Sequence, residues 1–263
     1  MLFRSMEIGQ QPMMQSQENK ILNKSSTLII SVSLQELNIY LLSSTDNELK
    51  KSLNTQFSGN NSTYILLDNL KKSLLDFDIK NVLDVKLIVN NKLSVLVPDE
   101  IFNKKLSIEY LKFNSEIFSN DTSEVDDLSE LNAKNIYVPY ININNYLIDT
   151  FGSFEFYHYS SLFIKKVYEK IDCENCISFY ASVRHNIINL VIFKGRKLYY
   201  SNTFEYQTKE DLLYYILFVS KQVKVVNSQT KITFLREKKL KSVEFEYLRK
   251  FIKNIEVTDE IIN

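Results

Sequence analysis

The stretch Thr27-Leu28-Ile29-Ile30-Ser31-Val32-Ser33 contains the first clear strand of the chain. Every second residue from 28 to 32 is apolar, which is the period of a β-strand with one buried face. Two more strands are predicted directly after it, over 37–43 and 49–57. A helix then begins at Ser62, a suitable N-cap, and carries one apolar stripe. Residues 27–97 are thus predicted as three adjacent strands, a helix and further strand.

The same order of elements is predicted a second time, over 176–253. Three adjacent strands come first, and the middle one, 187–193, is apolar on both faces, as expected for a central strand. Thr208, with Asp211 three residues later, resembles a capping box that opens the next helix. The repeated order predicts an α/β protein of two ribonuclease-H-like lobes. This is the architecture of actin-like ATPases, with mixed five-stranded sheets flanked by helices.

The lobes and their flanking segments follow from this repeat. Residues 1–24 are polar and predicted as a flexible tail. The N-terminal lobe is predicted over 25–171, and within it the acidic, weakly patterned segment 115–133 is predicted as an exposed loop. The C-terminal lobe is predicted over 172–263.

Several local features add detail to the first lobe. Asn90-Asn91 predicts a hairpin turn between two strands, and Pro98 predicts the start of a helix that runs through Tyr110 and Leu111. Gly152 fits the residue after a helix, where a positive φ is needed. Ser160 or Ser161 is expected to cap the helix that ends the lobe.

Composition limits the function classes. Lys plus Arg and Asp plus Glu balance at 32 each, and a nucleic-acid binder usually has a basic excess, so we expect no nucleic-acid partner. Two cysteines in 263 residues provide no disulfide framework. No stretch of about 20 apolar residues is present, so membrane insertion is not expected. A soluble cytoplasmic protein is the consistent expectation.

One stretch of the chain is similar to a known family. Residues 147–162 (Leu-Ile-Asp-Thr-Phe-Gly-Ser-Phe-Glu-Phe-Tyr-His-Tyr-Ser-Ser-Leu), together with 96–98 and 110–114, resemble an uncharacterised bacterial domain-of-unknown-function family. The resemblance covers roughly residues 25–260. It implies an actin-like ATPase fold, and the family has no established activity to carry over.

The two turns that would hold phosphate in an actin-like ATPase depart from that pattern. They would be Ser33-Leu34-Gln35-Glu36 and Ser182-Val183-Arg184-His185-Asn186, and neither contains glycine. Close approach of backbone to phosphate needs glycine, since any Cβ intrudes. Mg²⁺ needs nearby oxygen ligands, and the first strand of each lobe carries no acid. We therefore expect a pseudo-ATPase with no catalytic residues and no cofactor.

Five residues are candidates for holding an anionic ligand through side chains. They are Ser31, Ser33, Ser182, Arg184 and His158. His158 precedes a helix, where a polar group can hold an anion. The alternatives are structural: a histidine hydrogen-bonded to neighbouring backbone, and an exposed polar strand end at Arg184.

Cys173 and Cys176 form a C-x-x-C pair before the second lobe's first strand. Zinc would need two further ligands, and His158 and His185 would lie at opposite ends of that strand, so no metal site is expected. A redox pair usually opens a helix, whereas a strand follows here. We expect a fortuitous pair.

Three functions remain in order of preference. The first is a non-catalytic actin-like protein acting through an unidentified protein partner, with a homodimer as one form of such contact. The second is a nucleotide- or phosphate-ligand-binding protein that uses the inter-lobe cleft. The third is a thiol or zinc protein built on Cys173 and Cys176.

Overall fold

The structure, a computed structural model, describes residues 25–59, 62–184, 186–224, 230–236 and 242–259. The predicted tail 1–24 lies outside the described residues.

The first lobe is built on a five-stranded mixed sheet. Its strands are β1 Ser26–Val32, β2 Glu36–Ser43, β3 Leu49–Gln56, β4 Val82–Val89 and β8 Glu155–His158. β1 pairs antiparallel with β2 and parallel with β4. β2 pairs antiparallel with β3, and β4 pairs parallel with β8. The order across the sheet is therefore β3-β2-β1-β4-β8.

The second lobe repeats this topology. Its strands are β9 Ile177–Arg184, β10 Ile187–Lys194, β11 Lys197–Glu205, β12 Ile232–Arg236 and β13 Ile255–Asp259. β10 runs antiparallel to both β9 and β11, β12 runs parallel to β9, and β13 runs parallel to β12. The order across the sheet is therefore β11-β10-β9-β12-β13. The prediction of two mixed five-stranded sheets is confirmed.

A third sheet belongs to the first lobe and was not predicted. It has three strands in the order β5-β7-β6, namely β5 Ser94–Pro98, β6 Glu124–Leu128 and β7 Ala133–Tyr137. The prediction that 115–133 is an exposed loop is wrong over β6, where Asp126 and Leu128 are buried. The predicted hairpin at Asn90-Asn91 is also wrong, because β5 leaves the first sheet and pairs with β7.

Six α-helices within the described residues cover these sheets. They are α1 Thr63–Leu74, α2 Ser107–Lys112, α3 Ile141–Phe151, α4 Tyr159–Glu169, α5 Lys209–Gln222 and α6 Ser242–Leu248. The helix predicted from Pro98 starts later, at α2, because β5 includes Pro98 and two short 3₁₀ turns follow.

The helix caps follow local sequence in three cases. Ser62 caps α1, and Thr208 with Asp211 forms the predicted capping box of α5. Gly152 ends α3 with φ +80°, the region where glycine is favoured. The predicted cap of α4, Ser160 or Ser161, is wrong by two or three residues, since His158 is the N-cap and both serines lie in the first turn.

Helix α4 lies between the two five-stranded sheets and joins the lobes. Phe163, Ile164 and Val167 are buried in one apolar cluster with Ile29 from the first sheet and Val191 from the second. The opposite faces of the sheets form separate cores with α1 and α3 and with α5 and α6. This explains why β10 is apolar on both faces: one packs on α5 and the other faces α4.

Candidate functional site

A cleft of about 700 Å³ opens between the lobes. It lies beyond the carboxyl end of the parallel strands β1 and β4, where Asn90 N–H donates to Val32 O (2.8 Å), and ligands of open α/β sheets bind at such strand ends. Leu34 and Gln35 of the first turn and Ile187, just after the second turn, line it. Its other walls are the segments 90–94, 114–116 and 202–205, with Phe118 and Tyr140.

The charges in the cleft are few and mostly compensated. Among the described residues that line it, Lys92, Glu116 and Glu205 are charged. Lys92 Nζ lies 2.7 Å from Glu205 Oε2, so the one cation already has an anionic partner. Glu116 and Glu205 outnumber Lys92, so the cleft is slightly acidic, and the remaining polar lining consists of neutral amides and hydroxyls.

The first turn uses its own backbone donors. Ser33 N–H donates to Glu36 O (2.8 Å), and Gln35 N–H donates to Ser33 Oγ (3.2 Å). The carboxylate of Glu36 accepts from Asn54 Nδ2 at 3.0 Å. Phosphate binding in a turn relies on several free N–H groups that converge on the anion. In this turn the N–H groups of Ser33 and Gln35 already donate hydrogen bonds within the hairpin.

Three of the five residues predicted to hold an anion are buried where the two lobes meet. Ser31, Ser182 and Arg184 are each at most 4% exposed, and none of the three lines the cleft. The structure brings Arg184 to Ser31, with Nη1 3.3 Å from Oγ, and places the guanidinium 4.6 Å from the ring centroid of Tyr159. Tyr159 also shares a hydrogen bond with Ser182. These contacts fasten the two lobes and α4 together.

The alternative prediction, that Arg184 is an exposed strand end, is wrong, because its side chain is 1% exposed. Arg184 at the end of β9 pairs with Ile187 at the start of β10. His185 lies outside the described residues.

His158 is fully buried and makes structural contacts. Its Nδ1 lies 2.6 Å from Ser160 Oγ and accepts from Ser160 N–H (3.2 Å), while Nε2 lies 3.2 Å from the carbonyl of Asn91. A carbonyl only accepts, so Nε2 carries the proton. Burial lowers the pKa of His158 to about 3, although the bond to Asn91 opposes this shift. The neutral ring of His158 thus occupies the N-terminus of α4, where the sequence offers an anion-binding site as one alternative.

Asp126 is the carboxylate next to this histidine. Its Oδ2 accepts the backbone N–H of His158 at 2.8 Å. Burial raises the pKa of Asp126, and bonds from Ser161 and from His158 N–H oppose the shift. The pair ties β6 of the three-stranded sheet to the start of α4.

The cleft contains residues that sequence reasoning did not single out. Asn90 is 4% exposed, and its Oδ1 is buried without a hydrogen-bond partner among the described residues. Asn202 and Thr203 come from β11, an edge strand of the second sheet. The sequence signal for these cleft residues is the polar run at 90–92, which predicts a turn.

Cys173 and Cys176 lie in the turn before β9, both half-buried and both free thiols. In the described part of the chain, no group of three or more His, Cys, Asp or Glu side chains could hold a metal.

Two lobes of identical strand order, joined across a cleft, place the protein in the actin-like ATPase fold class. The chain belongs to the family described as protein of unknown function (DUF3822), whose model matches residues 16–255. Comparison with curated proteins gives no match.

Solved structures support the fold assignment. A Bacteroides thetaiotaomicron protein with actin-like ATPase fold and unknown function is 22% identical, covers 90% of this chain and 91% of its own, and superposes with a TM-score of 0.77. The PilM–PilN type IV pilus biogenesis complex matches at 10% identity, 89% and 88% coverage and a TM-score of 0.56. The ethanolamine utilization protein EutJ from Carboxydothermus hydrogenoformans matches at 5% identity, 88% and 84% coverage and a TM-score of 0.50.

Over the described residues, no helix has the length and apolar character required to cross a bilayer.

Proposed function

We propose that this protein is a non-catalytic member of the actin-like fold class that acts as an intracellular protein-interaction module. Its inter-lobe cleft accepts an extended segment of a partner polypeptide in place of a nucleotide.

The observation that carries the proposal is the charge of the cleft. A nucleotide brings several negative charges, and their burial requires cations or free backbone donors nearby. Lys92 is already paired with Glu205 at 2.7 Å, Glu116 adds a second acid, and the buried Arg184 does not line the cleft. A neutral or weakly basic polypeptide suits this surface better than a polyphosphate.

Strand β11 supplies a backbone edge for such a segment. Within the described residues it pairs only with β10, and residues 198–204 between its terminal Lys197 and Glu205 are uncharged. The edge strand of the first sheet, β3, instead carries Lys50 and Lys51, and edge lysines discourage pairing. Strand β5 lies beside part of this edge. The uncharged stretch that lines the cleft, 202–204, is where an extended peptide can add to the sheet.

Thr203 offers a backbone donor to a bound segment. Its N–H donates to Asn202 Oδ1 (2.8 Å), a side-chain contact that a pairing strand can replace. Asn202 and Thr203 both line the cleft.

The fold is compatible with this role. PilM, which shares the fold at a TM-score of 0.56, forms a complex with PilN. At 10% identity the likeness concerns architecture, so the role of this chain rests on its own cleft.

Site-specific photocrosslinking in the native cells tests the proposal. Phe118 lines the cleft and is 68% exposed, whereas Phe113 is 84% exposed and lies outside the lining. With p-benzoylphenylalanine at position 118, we expect one discrete protein adduct that is absent with the same residue at position 113. Equal adducts at both positions, or none at 118, would contradict the proposal.

A further inference from the structure

The turn between α4 and β9 holds the only two cysteines of the chain, three residues apart. The N–H of Cys176 donates to Cys173 Sγ at 3.1 Å, and Cys176 Sγ lies 3.7 Å from the carbonyl oxygen of Cys173. Cys176 Sγ also lies 3.9 Å from Ser178 Oγ. Both side chains are half-buried, so small molecules can reach them. The turn therefore brings two accessible sulfurs together before any bond joins them.

The turn is held in this shape by the β10–β11 hairpin. Gly195 N–H donates to Cys176 O at 2.8 Å, and a Cβ at Gly195 would lie 1.9 Å from the carbonyl oxygen of Glu174. Arg196 Nη1 donates to Ile171 O at 3.0 Å on the other side of the turn. Glycine is required for this close approach, which fixes the backbone between the two cysteines.

The two thiols are electrostatically unequal. The hydrogen bond from Cys176, helped by the N–H groups of Asn175 and Cys176, lowers the pKa of Cys173. The same shared bond, together with desolvation, raises the pKa of Cys176. A thiolate with a lowered pKa is the attacking group in thiol–disulfide exchange. Here backbone and thiol donors of a turn provide what a helix N-terminus provides in the usual redox pair.

We propose that Cys173 and Cys176 are a redox-modification site that closes reversibly into an intramolecular disulfide. The oxidant is a low-molecular-weight disulfide. The Cys173 thiolate attacks one of its sulfurs, its S–S bond breaks, and one thiol leaves with the proton that Cys173 gave up. The Cys176 thiolate then attacks the mixed disulfide at Cys173, and the second thiol leaves with the proton of Cys176. The two cysteines lose two electrons, and the small disulfide gains them.

The site does not depend on the proposed function of the cleft. It lies at the opposite end of β9 from Arg184, and none of the residues 171–176 lines the cleft. Failure of either proposal leaves the other standing.

The test uses the purified full chain equilibrated anaerobically with mixtures of reduced and oxidised glutathione, followed by alkylation of free thiols and mass spectrometry. We expect a monomer lighter by two hydrogens, with 173 and 176 in one disulfide-linked peptide. In Cys176→Ser the reaction should stop at a glutathione adduct on Cys173, formed several-fold faster than the adduct on Cys176 in Cys173→Ser.

The overturning results are equally specific. Two freely alkylated cysteines in excess oxidised glutathione, disulfide-linked dimers in place of the monomer product, or equal adduct rates in the two serine variants would each contradict the proposal. Circular dichroism of both variants checks that the fold is retained.

Discussion

At the scale of single residues, burial decides the properties of the polar groups near α4. His158 is neutral because its ring is enclosed and Ser160 and Asn91 satisfy both nitrogens. Arg184 is retained in the interior because Ser31 and the ring of Tyr159 face its guanidinium. A polar side chain at either position predicts contact with a ligand. In the structure both side chains contact other residues of the protein interior.

The pH dependence of stability should report the buried His158. Its folded pKa of about 3 lies below the ordinary value of 6.5. The unfolded chain therefore takes up a proton that the folded chain refuses, so this contribution to stability is complete above pH 6.5 and is lost as the pH falls toward 3. The loss has a limiting slope of about 1.4 kcal/mol per pH unit.

The matched variant is His158→Asn, which keeps a good N-cap acceptor and removes the titrating ring. We expect the stability difference between wild type and variant in urea titrations to shrink as the pH falls from 7 to 4. Asp126, whose raised pKa acts in the opposite direction, is present in both proteins. A difference that does not change with pH would contradict a buried neutral histidine.

At the scale of elements, local signals define the helix starts. Thr208 Oγ1 accepts Asp211 N–H at 3.1 Å, and Asp211 Oδ2 accepts Thr208 N–H at 3.0 Å. This reciprocal pair satisfies two donors that the first turn of α5 leaves open.

Removal of the cap should weaken the second lobe modestly. Thr208→Ala is expected to destabilise the protein by about 1 kcal/mol, while Thr208→Ser, which keeps the hydroxyl, should change stability by less than half of that. Urea denaturation followed by circular dichroism measures both. Equal losses in the two variants would show that the hydroxyl does not cap α5.

The sequence predicts an element when its signal lies within a few residues. It does not predict contacts between residues that are far apart in the chain. The apolar run of β10 and the capping box of α5 are each formed by residues close together in the chain, so the sequence predicts the order of these elements. The sequence does not predict strand β6, because its acidic residues are typical of an exposed loop. The buried Asp126 is hydrogen-bonded to His158, 32 residues away. The buried Arg184 is hydrogen-bonded to Ser31, 153 residues away. Periodicity contains no information about such partners.

At the scale of the whole molecule, the two lobes share one core around α4. Ile29 and Ile88 of the first sheet and Val191 and Leu235 of the second belong to the same buried cluster as Phe163. Ser31 and Arg184 add a polar contact between the sheets. The two lobes should therefore unfold together.

Phe163 tests this coupling. Phe163→Ala removes a ring that is 2% exposed, and we expect a loss of roughly 3–5 kcal/mol with a single transition retained. Phe118→Ala, at a 68% exposed ring, should change stability by at most about 0.5 kcal/mol. Calorimetry that resolves two separate transitions in wild type would contradict a shared core.

We propose that the inter-lobe cleft does not serve a nucleotide. Isothermal titration calorimetry of the full chain with ATP and Mg²⁺ at millimolar concentration addresses it directly. Since Lys92 is paired with Glu205 and the first turn engages its own N–H groups, we expect no saturable heat. Saturable one-to-one binding that weakens in Lys92→Ala would contradict the claim and establish the cleft as a nucleotide site.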